Sequence, residues 1–236
     1  MAESSSQAES VGFDAPGNDG RSHAARLYVS RPANARDALL VLAHGAGGGQ
    51  GHPFMVRFAR GLAERGIDVV TFDFPYMQAK RSAPDKAPVL EATFRSVIAA
   101  AAARVRASRV FVGGKSMGGR MATHVAAAPA LWPHGAPALA GVVVFGYPLN
   151  PPGGPSKRSP DRVSHLARIT VPLLIAQGTR DNFGGPSDVA KAAPHARVLE
   201  VPTGDHSFAV LKSAGRTQAQ IDAEVMDAVA AFVESR

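Results

Sequence analysis

Four short stretches of the chain hold side chains suited to nucleophilic catalysis. The first is Gly113-Gly114-Lys115-Ser116-Met117-Gly118-Gly119, which contains the pattern Gly114-x-Ser116-x-Gly118. A serine hydroxyl is a weak nucleophile, and needs a base to take its proton and an acid to orient that base. The second stretch, Gly204-Asp205-His206-Ser207-Phe208, offers His206 as the base. The third, Gly178-Thr179-Arg180-Asp181-Asn182, offers Asp181 as the acid. Asp188 and Asp205 are its rivals, but Asp205 would have to fold back on its own neighbour. The fourth, His44-Gly45-Ala46-Gly47-Gly48-Gly49, is a glycine run whose backbone N–H groups can receive a developing oxyanion. Ala46 and Met117 are the expected donors.

Two other readings of these glycines fail. Gly114-Lys115-Ser116 is the tail of a phosphate-binding loop, but the position five residues before Gly114 is Arg109. A dinucleotide fingerprint begun at Gly45 ends on Gln50, and one begun at Gly47 ends on His52.

A Gly-x-Ser-x-Gly match is short enough to arise by chance, so its weight depends on the elements that hold it. Short apolar runs at Ala38–Ala43, Ile67–Phe72, Arg109–Val112, Gly141–Phe145 and Val171–Ala176 read as strands buried on both faces, with a further strand at Arg197–Val201. Helical periodicity over Pro53–Arg65, Val89–Arg106, Met117–Ala128 and Thr217–Val233 alternates with them. Residues 11–30 alternate apolar and polar about Pro16-Gly17-Asn18-Asp19-Gly20, a hairpin signal. Such alternation builds an α/β fold with a mostly parallel sheet covered on both faces, whose ligand sits at the carboxyl ends of the strands. All four stretches follow expected strands. Serine, acid and histidine occur in that order along the chain.

Residues 1–10 read as a flexible tail and residues 11–236 as a single domain. The chain has 236 residues, with 45% hydrophobic, 19% charged and a net charge of +7. The basic residues are scattered and aromatics are few, so nucleic acid is not an expected partner. There is no cysteine, and hence no disulfide, thiolate metal site or cysteine nucleophile. The longest apolar run, Val97–Ala103, is too short to cross a bilayer. The N-terminal stretch has no secretory pattern. The expectation is a cytoplasmic monomer or homodimer with a small-molecule ester substrate, no metal and no cofactor.

With Phe72-Asp73-Phe74-Pro75-Tyr76 and Gly114-Lys115-Ser116-Met117-Gly118-Gly119-Arg120 added to the other stretches, the chain resembles the α/β-hydrolase superfamily from Leu39 to Val233. It is most similar to small, cap-less members related to dienelactone hydrolase. The resemblance implies the α/β-hydrolase fold and a serine hydrolase acting on a carboxylic ester, thioester or lactone through the triad Ser116, His206 and Asp181. Dienelactone hydrolases themselves use a cysteine nucleophile, which this chain lacks. A non-catalytic binding or scaffold protein on the same fold is the second reading.

The interval Gly146–Thr170 is too short and too rich in proline and glycine for a large cap. An open groove is therefore expected, walled by that interval and by Phe74–Arg81. Tyr76, Arg120 and Tyr147 are its expected substrate contacts. Lys80, Arg81, Lys157 and Arg158 are expected to draw an acidic substrate toward it.

Overall fold

The structure, a computed structural model, describes residues 10–17, 20, 22–29, 35–152, 154–157 and 159–236. Residues 1–9 of the expected tail, Asn18 and Asp19 of the hairpin turn, and Arg158 lie outside the described residues. Ser10, read as part of the tail, instead opens the first strand.

Eight strands form one sheet: β1 (Ser10–Pro16), β2 (Ser22–Tyr28), β3 (Ala38–Ala43), β4 (Asp68–Phe72), β5 (Arg109–Lys115), β6 (Leu139–Phe145), β7 (Leu173–Gly178) and β8 (Arg197–Val201). Their spatial order is β1-β2-β4-β3-β5-β6-β7-β8. β1 and β2 form the expected hairpin, with Ser10 opposite Tyr28, and β2 runs antiparallel to β4. All remaining pairs are parallel. The helices are α1 (Pro53–Glu64), α2 (Pro75–Gln78), α3 (Ala87–Arg104), α4 (Met117–Ala126), α5 (Pro186–Ala192) and α6 (Gln218–Glu234).

Every residue of β3 is buried, as its continuous apolar run requires. Alternate residues of the strands serve two cores. Leu39, Val41, Val110 and Val112 pack with Phe94 of α3, Met121 of α4 and Val189 of α5. Leu40, Leu42 and Phe111 pack on the other face with Phe58 of α1 and Val229 of α6. α6 opens on a capping box, in which Thr217 Oγ1 accepts from the Gln220 N–H and Gln220 Oε1 from the Thr217 N–H.

The structure departs from the periodicity in particular places. Pro75 opens the short α2, which the periodicity does not show, and Pro88 lies in the first turn of α3, which starts two residues before the expected Val89; a missing N–H costs nothing at either place. β7 starts two residues late because Pro172 precedes it. β5 runs on through Gly113, Gly114 and Lys115, so the serine turn starts directly from the strand. Between β6 and β7 the described residues form only the one-turn helices Pro155–Lys157, Pro160–Arg162 and Leu166–Arg168, so no large cap covers the sheet edge.

The turn from β5 into α4 depends on close backbone approach. A Cβ on Gly114 would lie 2.4 Å from the Gly118 carbonyl carbon, and one on Gly118 would lie 2.3 Å from the Ala43 oxygen. Those obstacles are backbone and cannot swing away. Gly118→Ala should therefore lower the unfolding free energy by about 2 kcal/mol or more, as overpacking against rigid neighbours does. A Cβ on Gly47 meets nothing within 4 Å. Gly47→Ala should stay within about 0.5 kcal/mol of the parent, as open surface sites do. Urea unfolding of the two variants checks the contrast.

Candidate active site

Parallel packing brings the ends of β3, β5, β7 and β8 to one edge of the sheet. Ser116 sits between β5 and α4 with φ 53° and ψ −116°, a backbone conformation that costs a residue with a side chain about 1–3 kcal/mol. Its N–H donates to Phe145 O at 3.0 Å, and its carbonyl accepts from the Arg120 N–H at 3.0 Å. Its hydroxyl caps no helix N–H and is left to face the loop after β8.

There His206 Nε2 lies 2.8 Å from Ser116 Oγ, and His206 Nδ1 lies 2.7 Å from Asp181 Oδ2. A proton on Nδ1 satisfies the carboxylate and leaves Nε2 to accept from the serine hydroxyl. The Asp181 side chain is fully buried, whereas the imidazole is about one-fifth exposed. Phe183 leans on the imidazole at 4.5 Å between ring centroids. Asp205, adjacent in sequence, turns away: its Oδ1 accepts from the N–H groups of Ser207 (2.7 Å) and Ala209 (2.9 Å) and so shapes the histidine loop. Asp188 accepts from the Gly185 N–H at the start of α5.

Asp181 is held by groups that the sequence reading did not single out. Its Oδ1 accepts from the Phe183 N–H at 2.8 Å. Its Oδ2 also accepts from Gln177 Nε2 at 2.8 Å. Gln177 is completely buried, and its amide also bonds the Tyr147 N–H (2.7 Å) and the Gly184 carbonyl (2.7 Å). The signal for it was a lone amide at the end of the apolar run Leu173–Ala176, just before the expected acid.

The loop after β3 is tied down from below. His44 is buried, with Nδ1 donating to Gly45 O at 2.7 Å and Nε2 accepting from the Phe74 N–H at 3.1 Å. Burial lowers its basicity, which matches a neutral ring serving as one donor and one acceptor. Asp73 Oδ1 accepts from the Gln50 N–H at 2.7 Å. Gly45 lies beside the serine: a Cβ there would sit 3.6 Å from Ser116 Cβ, in ordinary van der Waals contact. The Ala46 N–H has no partner among the described residues. Met117 opens α4, where first-turn N–H groups lack a partner within the helix.

A pocket of about 310 Å³ opens beside Ser116. The Gly45–Gly48 backbone and His52, Phe54 and Met55 from the start of α1 line one part of it. Ser116, His206, Phe183, Ser207 and Lys115 line the rest. A larger groove of about 520 Å³, lined by Ile169, Pro172 and Pro194 among others, lies at the amino end of β7, away from Ser116.

The expected substrate contacts fall elsewhere. Tyr76 is fully buried and donates its hydroxyl to Ala46 O at 3.0 Å, and burial pushes its pKa up to about 12. It supports the loop from beneath. Tyr147 is also fully buried and donates to the Arg162 carbonyl, and burial raises its pKa. Arg120 is not among the pocket-lining residues; its charge acts instead on Tyr147, Arg162 and His165. The expected walls also change. Phe74 is buried, Arg81 pairs with Asp85 at 2.6 Å, and neither Lys80 nor Lys157 lines the pocket. These residues were placed by chain proximity to the strand ends, which does not say which way a side chain points.

Among the described residues no cluster of His, Asp or Glu is placed to hold a metal, and no helix is long and apolar enough to cross a membrane.

A family model for the alpha/beta hydrolase domain matches residues 36–234. No curated protein matches the chain. Among solved structures it resembles an α/β serine hydrolase without a lid from Xanthomonas campestris, with a TM-score of 0.68, 19% identity and 95% of each chain covered. It also resembles the esterase domain of a Rhodothermus marinus protein, with a TM-score of 0.67, 17% identity, and 96% of this chain and 98% of that one covered. A third is a dienelactone hydrolase from Anabaena variabilis, with a TM-score of 0.65, 17% identity, and 97% of this chain and 96% of that one covered. Likeness at such identities establishes a common fold.

The buried Gln177 amide generates a stability prediction. Gln177→Leu fills similar space but strands the Tyr147 N–H and the Gly184 carbonyl. Each orphaned group costs about 1–3 kcal/mol, so the variant should lose about 3 kcal/mol in urea unfolding. A loss below about 1 kcal/mol would mean that the amide is dispensable to the Asp181 turn.

Proposed function

From the premise that this chain belongs to the alpha/beta hydrolase domain family, we propose that it is a serine hydrolase that cleaves a carboxylic ester, thioester or lactone through an acyl-enzyme. The observation that carries the reading is the unbroken path from Ser116 Oγ through the His206 ring to Asp181, at 2.8 and 2.7 Å, beside a pocket open to solvent.

In this reading Ser116 Oγ attacks the substrate carbonyl carbon while its proton passes to His206 Nε2. Asp181 keeps the Nδ1 proton in place and stabilises the imidazolium that forms. The carbonyl oxygen, now negative, is received by the N–H groups of Ala46 and Met117, aided by the positive end of α4. His206 then hands its proton to the departing oxygen or sulfur, leaving the acyl group on Ser116. Water, deprotonated by the same imidazole, attacks the acyl carbon. The acid leaves and the serine proton is restored. The family resemblance and the buried acid both support this sequence of steps, and none of them calls on a metal or cofactor. Residues 10–236 act as one domain, as a monomer or homodimer.

Phe54, Met55 and Phe183 give the pocket an apolar lining, and its volume suits a short acyl or small aromatic group. An alkyl chain gains about 0.8 kcal/mol per CH₂ only where apolar surface exists to cover it. Catalytic efficiency on p-nitrophenyl esters should therefore stop rising by octanoate; a continued rise to palmitate would contradict a small acyl site.

A fluorophosphonate probe should label the wild-type protein at Ser116 and leave Ser116→Ala unlabelled. That variant should also lose turnover of p-nitrophenyl acetate by several orders of magnitude, as nucleophile removal does in such triads. Asp181→Asn should cost up to about 10⁴-fold in kcat, because the imidazole then favours the wrong tautomer. Asp205→Asn, which does not touch the imidazole and keeps an oxygen to accept the loop N–H groups, should cost far less. A folded wild-type protein that neither labels nor turns over any ester would favour a binding role instead.

A further inference from the structure

Lys115 immediately precedes the candidate nucleophile, and the triad chemistry leaves it without a task. Alternation along β5 puts Phe111, Gly113 and Lys115 on the α1/α6 face, which is otherwise apolar around this strand. The lysine is 8% exposed. Its Nζ lies 5.7 Å from the centroid of the Phe54 ring and donates to the backbone carbonyl of His206. Gly146 keeps the meeting point open: with φ +69°, a Cβ there would lie 3.0 Å from His206 O and 3.1 Å from Lys115 Nζ.

We infer that Lys115 is a positioning residue: its buried ammonium grips the His206 backbone and so fixes the imidazole between Ser116 and Asp181. The inference rests on the serine-hydrolase reading above. Other ties of the histidine loop, such as Asp205 to Ser207 and Ala209, lie within the loop and shape it. Another, the Arg180 N–H to Gly204 O at 2.9 Å, joins it to the turn after β7. The lysine contact differs in joining His206 itself to the residue beside Ser116. It sets histidine and serine in one frame although 90 residues separate them.

The choice of lysine is costly to the fold. Burial disfavours the ammonium and pushes its pKa down to about 8, against the partly offsetting pull of Asp181 and Asp205. A methionine would fill similar space against Phe54 without that cost. A residue kept only for packing would not be an ammonium, so stability and catalysis should move in opposite directions when it is replaced.

The test is Lys115→Met, with Lys115→Cys as its partner. Lys115→Met should melt at or above the wild-type temperature. Its kcat on p-nitrophenyl acetate should fall about tenfold or more with KM little changed, since small misplacements of a reacting group cost factors up to about 10². Its fluorophosphonate labelling should slow in parallel. The chain contains no cysteine, so 2-bromoethylamine alkylates Lys115→Cys at that thiol alone. The product carries an ammonium at lysine's reach and should recover most of the lost kcat. Unchanged kcat and labelling in Lys115→Met would overturn the inference and leave the serine-hydrolase reading standing. So would a lower melting temperature with no recovery on alkylation, which is the signature of ordinary packing. A wild-type protein that the probe does not label would sink both.

Discussion

The site hangs on one steric constraint, the pressing of the turn between β5 and α4 against the end of β3. The Ala43 oxygen lies where a Cβ on Gly118 would be, and the Gly118 carbonyl carbon lies where a Cβ on Gly114 would be. Only glycine fits either place. That contact fixes the first turn of α4 and holds Ser116 at φ 53°. The strain is offset by the Phe145 and Arg120 backbone bonds and by the packing of Met121 and Val125 into the core. Because β3 is the strand that carries the Gly45–Gly49 loop, the same contact also fixes the distance between the serine and that loop. Ser116 and the Gly45–Gly49 loop are thus brought together by one piece of backbone packing.

Around that frame lies a set of buried polar side chains that each bond backbone. Gln177 joins Asp181 to Tyr147 and Gly184, Tyr76 holds Ala46 O, His44 joins Gly45 to Phe74, and Lys115 grips His206. These groups hold loops, which have no ladder of their own to define them. Buried polar groups are tolerated only when their bonds are complete, so each one specifies a single loop conformation. The outcome is a rigid edge on which only the outer wall, made by the start of α1 with Phe183 and Ser207, is free to set what enters.

The wall shows why family likeness and substrate separate. The strands and the helices that cover them belong to the shared fold, which the solved structures match at 17–19% identity. His52, Phe54, Met55 and Phe183 line the pocket but do not build the sheet. Of the basic residues in the outer loops, Lys80, Arg81 and Lys157 lie off the pocket lining, and among the described residues Lys115 is the one lysine or arginine on it.

The sequence by itself determined the alternation of strand and helix, the mostly parallel sheet, and the loops on which Ser116, Asp181 and His206 sit. These are legible because buried parallel strands are continuous apolar runs and because Gly114 and Gly118 mark a turn that no other residue type could make. Periodicity also placed Ala38–Ala43 and Arg197–Val201 to the residue. It could not say that β5 continues through Gly113, Gly114 and Lys115, since glycine is a poor strand former until neighbouring backbone presses against it. Nor could it say that Tyr76 and Tyr147 point inward. A tyrosine shortly after a strand is as able to face a pocket as to sit beneath a loop, and only the carbonyls of Ala46 and Arg162 waiting at the right distance decide between them. The roles of Gln177 and Lys115 were hidden for the same reason. Local pattern reports which face a residue occupies, whereas a hydrogen bond between residues 91 apart, as from Lys115 to His206, exists only once the sheet has brought the two strand ends together.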